Sequence, residues 1–277
     1  MIVASLHIYP VKGCRAVDLT EAALEQRGLA HDRRWMIVDA NGKFITQREQ
    51  PKLATIRAEI EAGELVLSHA GGDICVKPPS PDAPRLPVTL WKQQIEGYAA
   101  GEVSDKWLSD FLGLPCRLVW QGDLPRAVST QYAPEGSMTG YADGFPLLVT
   151  TTASLDDLNR RLPAPLPMNR FRPNIVIEGA QAWEEDGWKK IRIGSTDIDI
   201  SKPCTRCVVT TTDQQTGAKE SNEPLKTLKD FRLLRTPALT GVVFGQNATP
   251  LGREILKTGD NVAILESQTP PAFVIAA

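Results

Sequence analysis

The sequence predicts a mainly β fold with some short helices, and three observations support this. Many short runs alternate apolar and polar residues with the period of a strand, glycine and proline are frequent at 21 residues each, and extended amphipathic helical patterns do not occur. Strand-like runs are about as frequent before residue 120 as after it. We therefore predict two β-rich domains, residues 1–120 and residues 121–277, each with enough strands for a small barrel or sandwich.

The bulk composition narrows the classes of function. The 277 residues are 42% hydrophobic and 23% charged, which is typical of a globular protein with a sizeable core. Because the net charge is −2, we expect neither nucleic acid nor an anionic membrane as a partner. No secretory signal and no run of about eighteen apolar residues is visible. The five scattered cysteines do not suggest a disulfide framework, and we expect a cytoplasmic protein.

The first predicted element is a strand over residues 2–9, where apolar residues recur at every second position. Pro10 ends its pairing, and Gly13 allows the backbone to approach a neighbouring group closely. Lys12 lies between them. It is either a solvated turn lysine or part of an anion-binding site, in which its ammonium group acts together with bare backbone N–H groups.

A hairpin is predicted next, with strands Met36–Asp39 and Lys43–Thr46 joined by the turn Asn41-Gly42. Arg33 and Arg34 precede its first strand. Because neighbouring side chains of a strand point to opposite faces, we expect at most one of these two arginines to face a functional site.

The rest of the first half supplies more short strands and one helix. The predicted elements are two or three strands within residues 53–75, a polyproline-like connector over 77–87, a strand over Val88–Ile95, a helix over Ser104–Gly113 and a strand over Leu118–Trp120. The helix has an apolar face, with Ser104 as its expected N-cap and Gly113 as its stop signal.

The second half mixes strands with short helices. The predicted elements are a buried strand over Leu147–Thr150, a helix over Thr152–Leu162 with Thr152 as its N-cap, a strand over Asn169–Ile177, a hairpin of Ile191–Gly194 and Thr196–Ile200, a helix over Glu223–Phe231, and strands over Val242–Gln246 and Asp260–Leu265. On the strand over 169–177, Arg170, Arg172 and Asn174 share one face. That face is either solvated or binds an anion, since the arginine fork suits phosphate and carboxylate oxygens.

Cys204 and Cys207 flank Arg206 directly after the second hairpin, and the β-branched run Val208–Asp213 predicts that another strand follows. A thiol beside a fixed positive charge favours the thiolate, which either attacks an electrophile or holds a metal. A thioredoxin-like dithiol is disfavoured because that motif lies between a strand and a helix. Structural zinc lacks nearby ligands, since the three histidines are distant, and a plant-type iron–sulfur cluster lacks four closely spaced cysteines.

Two alternatives remain open on spacing alone. One is a buried structural pair of thiols. The other is a single thiolate ligand to a metal that an organic cofactor carries, with Arg206 favouring the thiolate form of Cys207. The anionic part of that cofactor would then meet basic residues, namely Lys12, Arg33, Arg170 and Arg172.

A series of spaced motifs makes the chain recognisable. They are Tyr9-Pro-Val-Lys12, Asp32-Arg-Arg-Trp35, Tyr141-Ala-Asp-Gly-Phe-Pro146, Phe171-Arg-Pro-Asn-Ile-Val-Ile177, Cys204-Thr-Arg-Cys-Val-Val-Thr-Thr-Thr-Asp213 with Thr216-Gly217, Glu223-Pro-Leu-Lys-Thr-Leu228 and Phe244-Gly-Gln246. In this order they resemble the molybdenum cofactor sulfurase C-terminal (MOSC) domain preceded by its β-barrel-like N-terminal partner. The resemblance covers nearly the whole chain and extends to the mitochondrial amidoxime-reducing components and the bacterial N-hydroxylated-base reductases. It implies a MOSC-type β-barrel plus a smaller N-terminal β-rich domain with short helices.

The resemblance also implies a molybdenum cofactor (Mo-molybdopterin), in which a pyranopterin dithiolene and one protein thiolate hold the metal. By the resemblance, Cys207 is the residue that supplies this thiolate. Sulfur coordination is chemically consistent with that, because molybdenum in such a cofactor prefers soft ligands. The residues implied to meet the pterin and its phosphate are Lys12, Gly13, Arg33, Asp143, Gly144, Arg172, Asn174, Cys204, Thr205 and Arg206. Relatives usually carry serine where Gly13 stands, so one hydroxyl contact is lost, although a backbone N–H remains available.

The implied reaction is the two-electron reduction of an N–O bond in amidoximes, hydroxylamines or N-hydroxylated purines, with release of water. Asp213 is a candidate catalytic proton handler, and a carboxylate that closes the turn to Gly217 is an equal alternative. Some bacterial relatives carry a ferredoxin domain and the mitochondrial ones a membrane anchor, neither of which this sequence shows. We therefore expect no membrane association and electrons from a separate ferredoxin-like or cytochrome b5-like donor with its reductase.

The sequence leaves two further functions open. The first is a molybdenum-cofactor carrier or sulfur-transfer protein that binds the cofactor without turnover. The second is a binding protein for another anionic ligand. Molybdenum content distinguishes the last from the other two, and reductase turnover with an artificial electron donor distinguishes the enzyme from the carrier.

Overall fold

The structure is a computed structural model that describes residues 1–274, in which 19 β-strands and three α-helices occur. The strands of the first half are β1 (Ile2–Ile8), β2 (Val17–Leu19), β3 (Glu21–Glu25), β4 (Gly28–Leu29), β5 (Trp35–Asp39), β6 (Arg57–Glu61), β7 (Glu64–His69), β8 (Gly72–Val76), β9 (Arg85–Leu90), β10 (Gln93–Ala99) and β11 (Cys116–Trp120). Those of the second half are β12 (Leu147–Thr151), β13 (Ile175–Glu178), β14 (Trp188–Ile193), β15 (Thr196–Thr205), β16 (Leu233–Arg235), β17 (Thr240–Pro250), β18 (Ile255–Lys257) and β19 (Val262–Ser267). The helices are α1 (Glu102–Leu112), α2 (Thr152–Arg161) and α3 (Leu225–Phe231). The predicted mainly β fold class is confirmed.

The largest sheet has the order β19-β14-β15-β17-β12-β13-β1-β2, with β16 beside β17. Backbone hydrogen bonds and an antiparallel bridge between Ile2 and Asn261 join the start of β1 to the start of β19. The N–H of Val3 donates to the carbonyl of Asp260 at 2.9 Å, and the N–H of Val262 donates to the carbonyl of Met1 at 2.9 Å. The sheet therefore closes on itself as a barrel, which pairs backbone groups that an open edge would expose.

The barrel interior is filled with buried apolar side chains. Two strands of the barrel contribute pairs of fully buried isoleucines to this core, Ile175 and Ile177 on β13 and Ile198 and Ile200 on β15. Burying each such side chain stabilises the fold by about 1.5–3 kcal/mol relative to leaving it exposed. This packing fixes the ends of β13 and β15, which carry residues of the functional site.

Three smaller sheets complete the fold, with the orders β5-β11-β10-β9, β6-β7-β8 and β18-β3-β4. Helix α1 packs against β11 around a second core, in which Leu53, Leu108 and Leu118 are fully buried. Strands β1 and β2 of the first half belong to the large barrel, and β18 of the second half pairs with β3 of the first. The two halves of the chain are thus interlocked, and the division at residue 120 stays a prediction.

Two helix starts differ from the predicted ones. Helix α1 begins after Gly101, and Ser104 lies inside its first turn, where its hydroxyl donates to the Gly101 carbonyl at 2.8 Å. Helix α2 is capped by Thr151, whose Oγ1 accepts the N–H of Ser154 at 3.1 Å. Thr151 and Thr152 offer the same chemistry, and only the backbone conformation decides which of them is the cap.

The predicted strand over Val88–Ile95 is in fact a hairpin. Strands β9 and β10 pair antiparallel, and the chain reverses at Trp91 and Lys92. Trp91 has a left-handed backbone with φ of 57°, which a tryptophan rarely adopts. Because the turn lacks asparagine and glycine, no local pattern predicts a turn at this position. Within residues 1–274, no helix has the length and apolar character needed to cross a membrane.

Candidate functional site

A single cleft brings together all ten residues implied to bind a cofactor, and Cys207 with them. Its volume, including the open mouth, is about 960 Å³. One wall comes from the first half of the chain, with Lys12, Gly13 and Arg33, and the other comes from loops at the ends of the barrel strands. Residues from distant parts of the sequence thus meet in one concave site, which is the usual setting for a ligand or an active centre.

Lys12 is held in place by the turn that follows β1. Its backbone N–H donates to the Trp35 carbonyl at 2.8 Å, and its ammonium group forms an ion pair with the Asp143 carboxylate. The indole N–H of Trp91 donates to the same carboxylate oxygen at 3.2 Å. Burial lowers the pKa of Lys12, although Asp143 opposes the shift. Enclosure in the cleft raises the pKa of Asp143, but Lys12, Trp91 and Arg33 together outweigh it and hold that pKa below its usual range.

Gly13 follows Lys12 with a left-handed φ of 85°. A Cβ atom added there would lie 3.2 Å from Cδ1 of Leu53, so a side chain would be both strained and crowded. Gln47 fixes the peptide by donating from Nε2 to the Gly13 carbonyl at 2.7 Å. The cleft surface at this point is therefore bare backbone, as an anion-binding turn requires.

Arg33 and Arg34 point in different directions, as the sequence predicts, but not because they lie on a strand. Arg33 has a left-handed φ of 48° in the turn before β5. Its guanidinium enters the cleft and binds both oxygens of Asp32 at 2.9 and 2.7 Å. Arg34 instead donates to Glu25 at 2.6 Å, in a different cavity. The turn, and not strand alternation, separates the two side chains.

The strand predicted over Asn169–Ile177 is wrong in its first part. Residues Met168–Phe171 form a short 3-10 turn, Arg172 has a left-handed φ of 55°, and β13 begins only at Ile175. Arg170 consequently turns away from the cleft, whereas Arg172 and Asn174 line it. Of the residues expected to share one face, the structure therefore brings two to the site.

Arg172 is a half-buried cation that lines the cleft. Its guanidinium lies 4.2 Å from the centroid of the Tyr9 ring and donates to Oε1 of Gln214 at 2.9 Å. Burial lowers the pKa of Arg172 to about 10. In the described part of the chain it forms no ion pair with a carboxylate, in contrast to Lys12 and Arg33. A partly buried charge without a counterion is unfavourable, so this position favours an anionic ligand.

The cysteine segment also departs from the prediction. Cys204 lies near the end of β15, and Cys207 precedes a short 3-10 turn, Val208–Thr211, where a further strand was expected. A thioredoxin-like dithiol was disfavoured because a strand was expected after the cysteines, and that reason was wrong. The α-helix that such a dithiol requires does not follow them either. Both thiols are free and partly exposed. Both cysteines therefore line the cleft, near the end of β15.

Arg206 contacts a different cysteine from the expected one. Its Nη1 donates to Sγ of Cys204 at 2.9 Å, and its Nη2 donates to the Phe171 carbonyl at 2.6 Å. The buried Nε of Arg206 has no hydrogen-bond partner. The guanidinium thus lies beside Cys204. Within residues 1–274, no charged side chain donates a hydrogen bond to Sγ of Cys207.

The donor set decides what kind of metal site is compatible with the cleft. Within residues 1–274, no group of three or more His, Cys, Asp or Glu side chains is arranged to hold a metal ion. A metal at Cys207 would therefore need most of its ligands from an organic cofactor. The unpaired Arg172 and the orphaned Nε of Arg206 would suit the anionic part of such a cofactor. The residues present fit a thiolate-anchored, anionic metal cofactor.

Comparison with known proteins agrees with this geometry. Residues 1–115 match the MOSC N-terminal beta barrel domain, and residues 137–263 match the MOSC domain. The chain is 36% identical over 278 residues to mitochondrial amidoxime-reducing component 1 of Mus musculus, which covers 95% of this chain and 82% of that protein. The chain belongs to the MOSC-domain family. The resemblance found in the sequence motifs is thereby confirmed.

Two human proteins show the same relationship to this MOSC protein. Mitochondrial amidoxime-reducing component 1 of Homo sapiens is 33% identical over 280 residues, covering 95% of this chain and 82% of the relative. Mitochondrial amidoxime reducing component 2 of Homo sapiens is 36% identical over 242 residues, covering 83% and 72%. The similarity therefore spans both MOSC domains.

Asp213 lies outside the cleft of this MOSC protein. Its Oδ1 accepts the backbone N–H groups of Gln215 and Thr216, both at 2.9 Å, and its Oδ2 pairs with Arg170 at 3.0 Å. Burial raises the pKa of Asp213, but the Thr216 and Gln215 N–H groups and Arg170 lower it more, so the net shift is downward. These contacts match the alternative in which the carboxylate closes a turn, and a proton-handling role stays a prediction.

Several residues of the site gave no signal in the sequence. Gln47 is buried in the cleft wall, Gln214 is buried behind it in contact with Gln47 and Arg172, and the exposed Arg48 and Trp91 form the mouth. The guanidinium of Arg48 lies 4.7 Å from the centroid of the Trp91 ring. Isolated glutamines and surface aromatics have no diagnostic spacing, so only their positions in space identify them.

Proposed function

We propose that this protein is a molybdenum-cofactor-dependent reductase of N-hydroxylated compounds such as amidoximes, hydroxylamines and N-hydroxylated purines. The observation that carries the proposal is one cleft lined both by a free thiol, Cys207, and by a half-buried cation, Arg172, that has no carboxylate partner within residues 1–274. Relatives at 31–36% identity are named amidoxime-reducing components, which supports this reaction class.

The basic residues of the cleft would hold the anionic end of the cofactor. Arg172 supplies a guanidinium fork, Gly13 a bare backbone N–H, and Lys12 an ammonium group whose Asp143 partner is largely exposed to the cleft solvent. Each charge-assisted contact of this kind contributes about 1.5–3 kcal/mol. Asn174 is fixed for a positioning role, because its Oδ1 accepts the Leu148 N–H at 3.1 Å and its Nδ2 donates to the His7 carbonyl at 3.1 Å.

Cys207 would provide the single protein ligand to the metal. The bound molybdenum supplies a two-electron redox centre with affinity for the oxygen of an N–O bond. Overall, the substrate N–O bond breaks, two electrons and two protons are consumed, and the oxygen leaves as water. The partly exposed position of Cys207 on the cleft wall leaves room for a substrate on its open side.

Electrons would come from a separate ferredoxin-like or cytochrome b5-like protein with its reductase, and we place the activity in the cytoplasm. The relatives are named components, which fits an enzyme that works together with other proteins. The cleft has an open mouth at Arg48 and Trp91, through which a reduced partner can approach. Both assignments are part of the proposal.

The test is to purify the protein from cells that make the cofactor and to measure bound molybdenum and pterin. We expect wild type to contain both, Cys207→Ala to lose the metal, and Cys75→Ala, an exposed thiol on β8, to behave as wild type. Equal molybdenum in Cys207→Ala and wild type would overturn the ligand assignment. Benzamidoxime reduction with a reduced viologen donor tests turnover, and full metal content without any turnover would identify a cofactor carrier instead.

A further inference from the structure

A second concavity continues outward from the cleft. We call it the outer groove, and its defining residues are the aromatic side chains of Phe44, Trp91, Tyr132 and Phe145 and the cationic side chains of Arg48, Lys92 and Lys202. Phe44, Arg48, Trp91 and Phe145 line both the cleft and the outer groove. A molecule whose reacting group lies in the cleft would therefore place its remaining part in the outer groove.

Two of the three cations of the outer groove, Arg48 and Lys202, are held over its rings. The guanidinium of Arg48 lies 4.7 Å from the Trp91 centroid, and the ammonium of Lys202 lies 4.1 Å from the Tyr132 centroid and 5.2 Å from that of Phe145. Such contacts are favourable because the ring faces carry partial negative charge. They hold the positive groups at defined positions beside flat apolar surfaces.

Two carboxylates, those of Asp143 and Glu49, also line the outer groove, and each is paired with a lysine, Lys12 or Lys43. Arg48, Lys92 and Lys202 form no ion pair with a carboxylate in residues 1–274, whereas neighbouring Lys43 pairs with Glu49 at 3.7 Å. The whole protein has a net charge of −2, so the positive groove is a local feature against an acidic average. A concave, aromatic and cationic surface is complementary to a flat ring that carries negative charge.

We propose that the outer groove selects N-hydroxylated substrates whose aromatic ring carries a carboxylate or phosphate group. This inference rests on the proposed function for the reaction itself. The ring would stack on Trp91 and Phe145, and its anionic group would face Lys92 and Lys202. An acidic protein surface would satisfy the charges but would not fill a concave pocket between aromatic side chains, so a small ligand is the better match.

The experiment uses two amidoximes that differ in one charge, benzamidoxime and 4-carboxybenzamidoxime, with a reduced viologen as donor. We expect wild type to have the higher kcat/KM for the carboxylate. The double variant Lys92→Gln/Lys202→Gln should lower the ratio of the two kcat/KM values by roughly threefold or more, as for solvent-exposed charge pairs. Lys229→Gln, an exposed lysine on α3 outside both cavities, is the matched control and should leave the ratio unchanged. A ratio near one in wild type, or an unchanged ratio in the double variant, overturns the inference.

Binding measurements separate this inference from the proposed function. Calorimetry with benzoate and benzamide, which the enzyme cannot reduce, should show tighter binding of benzoate and loss of that preference in the double variant. If neither amidoxime is reduced while benzoate is still preferred, the proposed function fails and the anion-binding groove stands. If the double variant slows both amidoximes equally with a protein donor and neither with viologen, the surface docks the donor, and the inference is overturned.

Discussion

The side-chain amides of Gln47 and Gln214 hydrogen-bond to each other in both directions, at 3.0 and 2.9 Å, although 167 residues separate them in the sequence. Gln47 also donates to the Gly13 carbonyl, and Gln214 accepts from Arg172. This reciprocal pair therefore links the turn at Gly13 in the first half to the half-buried Arg172 in the second. Both amides are almost fully buried, so their orientation is fixed by these bonds and not by solvent.

Replacing Gln214 should loosen both walls of the cleft at once. We expect Gln214→Ala to lower the free energy of unfolding by about 1–3 kcal/mol, because Gln47 and Arg172 lose buried partners. Urea unfolding measures this, with the exposed neighbour Gln215→Ala as the matched control. Equal stability of the two variants would show that the pair does not support the cleft.

Arg172 should matter more for the cofactor than for the fold. We expect Arg172→Ala to weaken cofactor retention by about 1.5–3 kcal/mol, since one charge-assisted contact is lost. The apoprotein should not be destabilised to the same extent, because a half-buried cation without a counterion is itself unfavourable. Pterin content after dialysis, compared with the exposed control Arg117→Gln on β11, gives the first quantity, and urea unfolding of the apoprotein gives the second. Undiminished pterin in Arg172→Ala would contradict the placement.

Stability should depend on pH through Glu185. Burial raises the pKa of this carboxyl group from 4.5 to about 7, where it accepts from Ser154 at 2.8 Å. Between these two values the folded state binds more protons than the unfolded state, so the free energy of unfolding should fall as the pH rises, by on the order of 3 kcal/mol in total.

Glu185→Gln should remove that dependence, because the amide can keep the acceptor oxygen without ionising. Chemical unfolding at a series of pH values from 4.5 to 7.5 measures the slope, and the exposed Glu220→Gln serves as the control. A slope in Glu185→Gln equal to that of wild type would assign the pH dependence to other groups.

Asp213 offers a direct contrast between a turn and a proton handler. Asp213→Asn keeps an oxygen that can accept from Gln215 and Thr216 but removes the charge opposite Arg170. We expect a loss of stability of about 1 kcal/mol and a pH profile of amidoxime reduction with unchanged shape. Disappearance of one limb of that profile would instead support the catalytic role.

Gly28 should be one of the least replaceable positions near the cleft. It has a left-handed φ of 94°, and an added Cβ would collide with the carbonyl oxygen of Pro146, which directly follows the cleft loop. Gly63 has a comparable φ of 83° with open space around it, so Gly63→Ala should cost only the backbone strain, about 1–2 kcal/mol. Gly28→Ala should cost a further 1–3 kcal/mol, roughly, because the loop must move. Thermal unfolding of both variants checks this, and equal melting temperatures would rule out the collision.

Much of the fold follows from local signals. The first half of β15 could be predicted because Ile198 and Ile200 alternate with aspartates, which is the period of two typical of a strand. The predictions failed where the backbone is left-handed at residues that rarely adopt it, as at Trp91 and Arg172. The identity of a tryptophan or an arginine does not predict a left-handed backbone, because the surrounding structure imposes that conformation.

The sequence by itself determined the chemistry that the site can offer and the family to which the chain belongs. Motifs around Lys12, Arg172 and Cys207 carry that information, because each depends on residue type and short spacing. Only the tertiary structure decided that Arg172 enters the cleft while Arg170 leaves it, and that Arg206 bonds Cys204. It also joined Gln47 to Gln214. These outcomes depend on contacts between residues far apart in the chain, whose relative positions are set by barrel closure and core packing and not by any local pattern.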